Sequence, residues 1–292
     1  MAKIMLSGAT GLLGRAIFAN LGTHHDIIGL GFSRAQPPII KADLLNEKEV
    51  FELFDTHRPD FFIHSAAERN PDKFDDDPEQ AIELNCAVTE CIAKCCAQYQ
   101  CKLIFISTDY VFDGRTAPYD EAAIPNPLNL YGESKARTES LLQTLYPSAA
   151  IVRIPVLYGQ VGHLGESAVT VIAKQLLHGV TEFDDDALRF PTDTKDIALV
   201  IDQAINHFGQ SMRGIYHVSA KQKMTKLDMA KIMAEIMGID TNALSGAPFN
   251  PNAAPRPKDC QLKDTKLMTQ GIEINTDFKD AIADILAPHL SQ

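Results

Sequence analysis

Three side chains in one stretch have the types and spacing for proton chemistry. Residues 102–135 read KLIFISTDYVFDGRTAPYDEAAIPNPLNLYGESK, with Thr108 at the end of an apolar run and Tyr131 four residues before Lys135. On a helix, residues four apart share a face one turn apart, so the phenol and the ammonium can act on one ligand. A free phenol titrates near pH ~10, and a neighbouring cation stabilises the phenolate and brings that value down. Tyr131 could then protonate a carbonyl oxygen as hydride reaches the carbon, with Thr108, or Ser107 beside it, holding the same oxygen by a hydrogen bond. Tyr-x-x-x-Lys pairs are also common on ordinary helix faces, so this chemistry requires a cofactor site elsewhere in the chain.

The elements around these residues supply such a site. Lys3 to Gly14 reads KIMLSGATGLLG, a short apolar strand running into Gly8, Gly11 and Gly14, with an amphipathic helix following through Leu12, Leu13, Ile17 and Leu21. Strand, glycine turn and helix are the context in which backbone N–H groups and the helix dipole receive a pyrophosphate. A second strand over Asp26–Gly31 is followed by Phe32, Ser33 and Arg34 where an NAD site carries an acid, and a basic residue there suits a 2′-phosphate. NADP(H) is therefore the expected dinucleotide. Asp43, with Leu44 after it, stands before a helix over residues 46–57; its carboxylate is placed to contact adenine or to satisfy backbone donors. The strand 60–64 leads into Ser65, Ala66, Ala67 and Glu68, small residues that let backbone pack beside a cofactor, and Asn85 lies in a long helix from Pro78 to about Gln100.

Strand and helix alternate through residue 155, the last strand being 149–154, which predicts an α/β chain: a Rossmann-type doubly wound parallel sheet. Ile154 and Pro155, at the end of that strand, join the expected cofactor site. Residues 1–155 are read as the dinucleotide-binding domain. Residues 156–292 are read as a smaller, interleaved cap and substrate region, with some segments returning to the first domain. In that second region the expectations are a loop over 158–165, a helix over 166–178, an irregular acidic stretch over 181–194, a helix over 196–208, a strand over 214–218, a helix over 225–237 and a terminal helix from about Asp277.

The chain has 292 residues, is 45% apolar and carries a net charge of −11, which argues against nucleic acid or an anionic membrane as partner. Without an apolar run of the ~20 residues that spans a bilayer, and without a leader-like start, a cytoplasmic location is expected. Five of the six cysteines crowd into residues 86–101 without zinc-site spacing. They read as reduced core residues, and no metal is expected. The acidic runs 75–77 and 184–186 read as solvated surface.

Gly8-x-x-Gly11-x-x-Gly14, residues 107–114 (STDYVFDG) and residues 131–135 (YGESK) together resemble extended short-chain dehydrogenase/reductases, most of all the branch containing dTDP-4-dehydrorhamnose reductases. The resemblance implies NAD(P)H lying along Gly8, Thr10, Gly11, Leu12, Leu13 and Gly14. It gives Thr108, Tyr131 and Lys135 the catalytic roles, with Lys135 also on the nicotinamide ribose, and makes a nucleotide-activated keto sugar the substrate. Three segments depart from that pattern: 67–72 (AERNPD), 153–158 (RIPVLY) and 189–192 (RFPT). These departures, with 31–35 (GFSRA), 166–171 (ESAVTV) and 224–226 (MTK), resemble the regulatory β subunit of methionine adenosyltransferase. That relative shares the fold, binds NADP and docks on a catalytic subunit, which makes this subunit a second candidate partner; the end of this chain, APHLSQ, lacks the aromatic anchors such docking favours. Arg256, between two prolines, is a candidate clamp for a substrate diphosphate, with Ser107 and Glu68 as further substrate contacts. Self-association into a homo-oligomer is a further expectation from the family.

Overall fold

A computed structural model describes residues 1–66, 83–247 and 255–290. Seven strands form one sheet: β1 (Lys3–Ser7), β2 (Asp26–Gly31), β3 (Ile40–Lys41), β4 (Phe61–His64), β5 (Lys102–Thr108), β6 (Ala150–Ile154) and β10 (Gly214–His217). Their order is β10-β6-β5-β4-β1-β2-β3, and every neighbouring pair is parallel. The chain leaves β1 towards β2 on one side and returns beyond it to β4, so the order reverses between β1 and β4. In doubly wound sheets the ligand crevice opens there, beyond the carboxyl ends of the strands.

Alternation along the strands explains the two covering layers. Ile4, Leu6, Ile63, Ile104, Ile106 and Val152 face α1 (Leu12–Leu21) and α6 (Thr194–Phe208). Met5, Phe62, Leu103, Phe105 and Ile151 face α2 (Glu47–His57), α3 (Val88–Tyr99) and α4 (Leu130–Leu145). Cys91, Cys95, Cys96 and Cys101 are buried in this second layer, where they pack as small apolar groups. The β2 strand matches its expected bounds, and Asn46 is the cap of α2 rather than its first turn, its side chain accepting the Glu49 N–H. Residues 78–82 of the expected long helix lie outside the described residues; a π-turn over Glu83–Ala87 opens its remainder.

A separate core belongs to the second half of the chain. It joins Tyr158, α5 (Thr170–Leu177), α7 (Lys226–Met237) and α8 (Phe278–Leu290) through Ile172, Leu176, Met233, Phe278 and Leu286. The stretch 181–194 is not irregular as expected. β8 (Glu182–Asp184) pairs with β11 (Ser245–Ala247), and β9 (Thr192–Asp193) with β7 (Leu157–Tyr158). The expected helix at 166 starts later, because Ser167 accepts the Val169 and Thr170 N–H groups and so caps α5 from outside. Among the described residues no helix is long and apolar enough to cross a membrane, and no group of three or more His, Cys, Asp or Glu side chains is arranged to hold a metal.

Candidate functional site

The glycine turn sits at the β1–β4 reversal because no larger residue fits there. Gly8 has φ +71°, and a Cβ on it would lie 2.8 Å from the Ala66 nitrogen at the end of β4. A Cβ on Gly14 would lie 2.0 Å from the Gly8 carbonyl oxygen, so α1 is pressed onto the turn. Gly11 N–H donates to that same oxygen at 2.8 Å. Gly11 caps α1 without a side-chain hydrogen bond, and the first turn, at Leu12 and Leu13, holds no acid. Its amides and the positive end of the helix dipole are therefore uncompensated by side chains, as an anion site requires. Thr10 packs where a Cβ on Gly31 would come within 2.9 Å of its methyl carbon, which joins the turn to the end of β2.

Beyond β2, Phe32 is exposed with the Lys41 ammonium 6.0 Å from its ring centre, and Ser33 and Arg34 are exposed beside it. Asp43 serves the backbone: its carboxylate accepts the Leu45 N–H at 3.0 Å, while Leu44 packs against the second core layer. Asn85 is buried against α4, its Nδ2 donating to Ser134 Oγ at 3.2 Å. Ile154 and Pro155 are buried at the end of β6. Ala67 lies outside the described residues.

Thr108 lies at the end of β5, and Tyr131 and Lys135 lie on α4. Thr108 ends β5 and caps the 3₁₀ turn Asp109–Val111; its Oγ1 accepts the Tyr110 N–H at 3.2 Å and donates to Asp109 Oδ1 at 3.1 Å. Asn129 caps α4 by accepting the Gly132 N–H at 2.9 Å, and its amide donates to Pro255 O at 2.8 Å. A Cβ on Gly132 would lie 2.2 Å from the Tyr110 carbonyl oxygen. The start of α4 thus rests on the residues that follow Thr108, and the half-buried Tyr131 ring meets Tyr110 edge-on at 6.2 Å.

Lys135, one turn beyond Tyr131, is 3% exposed; its Nζ donates to Ile106 O at 2.9 Å and lies 4.5 Å from the Phe105 ring centre. Burial lowers its pKa to about 8, against the opposing pull of Glu139.

Ser107 and Thr108, as adjacent strand residues, face opposite ways. The Ser107 hydroxyl faces α4, the helix that carries Tyr131 and Lys135, and donates there to Glu139 Oε1. Glu139 is held in turn by Arg153, through Nε at 3.0 Å and Nη2 at 2.6 Å. Arg153 Nη1 donates to His217 Nε2 at 3.3 Å, leaving the imidazole proton on Nδ1 to donate to Lys263 O. Burial, then the Arg153 charge, push the His217 pKa down to about 4.

His64, buried at the end of β4, is fixed in the same manner. Ser7 Oγ accepts the Ser65 and Ala66 N–H groups, so its own proton goes to His64 Nδ1 at 2.7 Å. Nε2–H then donates to Thr89 Oγ1, which donates onward to Asn85 O. Burial, with the Lys135 charge, holds this imidazole neutral, its pKa about 3.

Asp109 and Arg189 carry charges that sequence reasoning left without a role. Burial pushes the Asp109 carboxyl up to about 7, against the pull of the Arg189 guanidinium and the Thr108 hydroxyl. Arg189 is buried and donates to the carbonyls of Leu188 and Pro257. Arg256 lies near enough for its charge to act on the Tyr110 phenol, in the segment that Asn129 ties to the start of α4. Glu68 lies outside the described residues. Asp109 was legible as part of the 107–114 motif and Glu139 as the residue four beyond Lys135. Nothing local pointed to the fold partners of Arg189 or His217.

The chain is 39% identical over 296 residues to methionine adenosyltransferase 2 subunit beta of Danio rerio, covering 98% of this chain and 90% of that one. It is 29% identical over 305 residues to dTDP-4-dehydrorhamnose reductase of Aggregatibacter actinomycetemcomitans, covering 98% and 99%. A dTDP-4-dehydrorhamnose reductase of Bacillus anthracis, solved in complex with NADP, superposes with a TM-score of 0.83 at 25% identity over 98% of both chains. The family model of the RmlD substrate binding domain matches residues 2–291, and the chain belongs to that family.

Proposed function

We propose that the protein is an NADP(H)-dependent reductase of a keto group on a nucleotide-activated sugar. In this reading residues 1–155 carry the dinucleotide and residues 156–292 the substrate side. The observation that supports it is the α4 start, bearing Tyr131 and Lys135 one turn apart and resting on the residues that follow Thr108, together with a glycine turn that has the shape and charge of a pyrophosphate cradle. The Gly8–Gly14 turn would hold the pyrophosphate, Arg34 the 2′-phosphate and Lys135 the nicotinamide ribose. The dinucleotide supplies hydride. Tyr131 gives its proton to the carbonyl oxygen, Lys135 stabilises the phenolate left behind, and Thr108 turns its hydroxyl from Asp109 to that oxygen. Absorbance at the reduced-nicotinamide band, with dTDP-4-dehydrorhamnose as substrate, tests this directly, and tight NADPH binding without turnover would overturn it.

A second reading is that the chain is a dinucleotide-binding regulatory subunit of a methionine adenosyltransferase. One observation favours it: the 39% identity to a beta subunit against 29% to a reductase. Retention of this chain by an immobilised methionine adenosyltransferase catalytic subunit, together with absent turnover, is the result that reading expects.

A further inference from the structure

Arg15 and Glu166 are 151 positions apart and meet beside the glycine turn. Arg15 Nη1 donates to Thr10 O at 3.1 Å and to Glu166 Oε1 at 2.7 Å; Nη2 donates to Glu166 Oε2 at 3.0 Å and to Gln160 O at 3.1 Å. On its other side the carboxylate accepts the Gly162 N–H at 3.0 Å, which closes residues 160–166 around it. Arg34 Nη1 stands 3.6 Å from Glu166 Oε1. One carboxylate is therefore shared between a guanidinium fixed to the glycine turn and the guanidinium beyond β2. Two cations on one anion leave a net positive charge where a phosphate can join them.

We propose that Glu166 makes residues 160–166 a clasp over the adenosine end of the dinucleotide and holds Arg34 ready for the 2′-phosphate. Glu166 is thus a positioning residue for retention and choice of the dinucleotide, and this rests on the dinucleotide reading given above. The clasp bridges the turn on which a pyrophosphate sits, so it must open before the dinucleotide leaves. The Arg34 side chain is 61% exposed, and without Glu166 the ligand itself must order it, at an entropic cost. NAD(H) has no 2′-phosphate and makes no use of that ordering, so loss of Glu166 weakens NADP(H) more than NAD(H).

The test uses the full chain with Glu166→Gln, which keeps the shape and removes the charge, and with Arg15→Lys, which keeps the charge and removes the two-pronged hydrogen bond. NADPH and NADH dissociation is followed by stopped-flow fluorescence, and hydrogen exchange is followed over residues 160–166. Loss of one charge-assisted hydrogen bond corresponds to a change on the order of 10-fold. NADPH should leave about 10-fold faster from both variants, on the same scale as that bond. The affinity ratio of NADPH to NADH should fall in Glu166→Gln, and residues 160–166 should exchange faster. Wild-type protein that binds NADPH, with rates and ratio unchanged in both variants, overturns the clasp alone. Wild-type protein that binds neither dinucleotide overturns the dinucleotide reading and the clasp with it.

Discussion

Arg153 and Glu139 form a two-pronged ion pair inside the sheet-helix interface, with side-chain exposures of 1% and 3%. Removing one partner strands the other as a buried charge, at a cost of ~3–5 kcal/mol. Glu139→Leu and Arg153→Met should each lower unfolding free energy by about that amount, and the double variant carrying both should lose less than the sum. Urea denaturation of the four proteins measures this. Additive losses would show that the pair does not act as a unit.

Tyr131→Phe removes the proton donor and keeps the ring against Tyr110. In the reductase reading it should lower turnover by ~10²-fold or more while NADPH affinity stays within about twofold. Normal turnover in that variant would remove Tyr131 from the proton step.

Lys135 makes activity and stability respond to alkali in opposite directions. Its pKa is about 8 in the folded chain against an ordinary 10.5. Above about pH 8 the phenol loses its cation, so turnover should fall. Between those two values the unfolded chain holds a proton that the folded chain has released, so stability should rise with pH across that window. Thermal melts from pH 8 to 10.5 should show this slope in the wild type and lose it in Lys135→Met.

Asp109 works in a lower window. Its carboxyl is pushed from 3.8 up to about 7, so between those values the folded chain keeps a proton that the unfolded chain has given up. Stability should therefore fall as pH rises from about 4 to about 7. Asp109→Asn should be flatter over that range in denaturant titrations, and an equal slope in both proteins would contradict the assignment.

Gly14→Ala sets a methyl carbon 2.0 Å from the Gly8 carbonyl oxygen, a backbone atom that cannot swing aside. The turn must open, and NADPH binding measured by fluorescence should drop by at least ~10-fold, with a lower thermal midpoint. Unchanged binding would mean that the turn is not the pyrophosphate cradle.

The sheet and the start of α4 were legible because their signals are local: an apolar run, a glycine turn, a spacing of four on a helix. β2 follows from such patterns, whereas Asn46, read as the first residue of α2, is its cap. β7, β8, β9 and β11 were not legible, since strands of two or three residues exist only through partners such as Ser245 for Glu182, far along the chain. Ser107 was offered beside Thr108 because sequence alone does not say which face a strand residue takes. The partner that shows its face, Glu139, accepts the Ser107 hydroxyl from 32 residues further on. Glu166 read as the start of a helix, and its partner Arg15 lay 151 residues away.

The edge strand β10 comes from residues 214–217 and hydrogen-bonds β6, while α6 lies on α1. A polypeptide cut after Pro155 would leave β6 with an unpaired edge and bare the apolar face of the glycine-turn helix, at Leu13 and Ile17. Residues 1–155 are therefore unfinished as they leave the ribosome and wait for β10 before the sheet can close. Exchanging residues 156–292 as a block would take an edge strand and a covering helix from the sheet that precedes them.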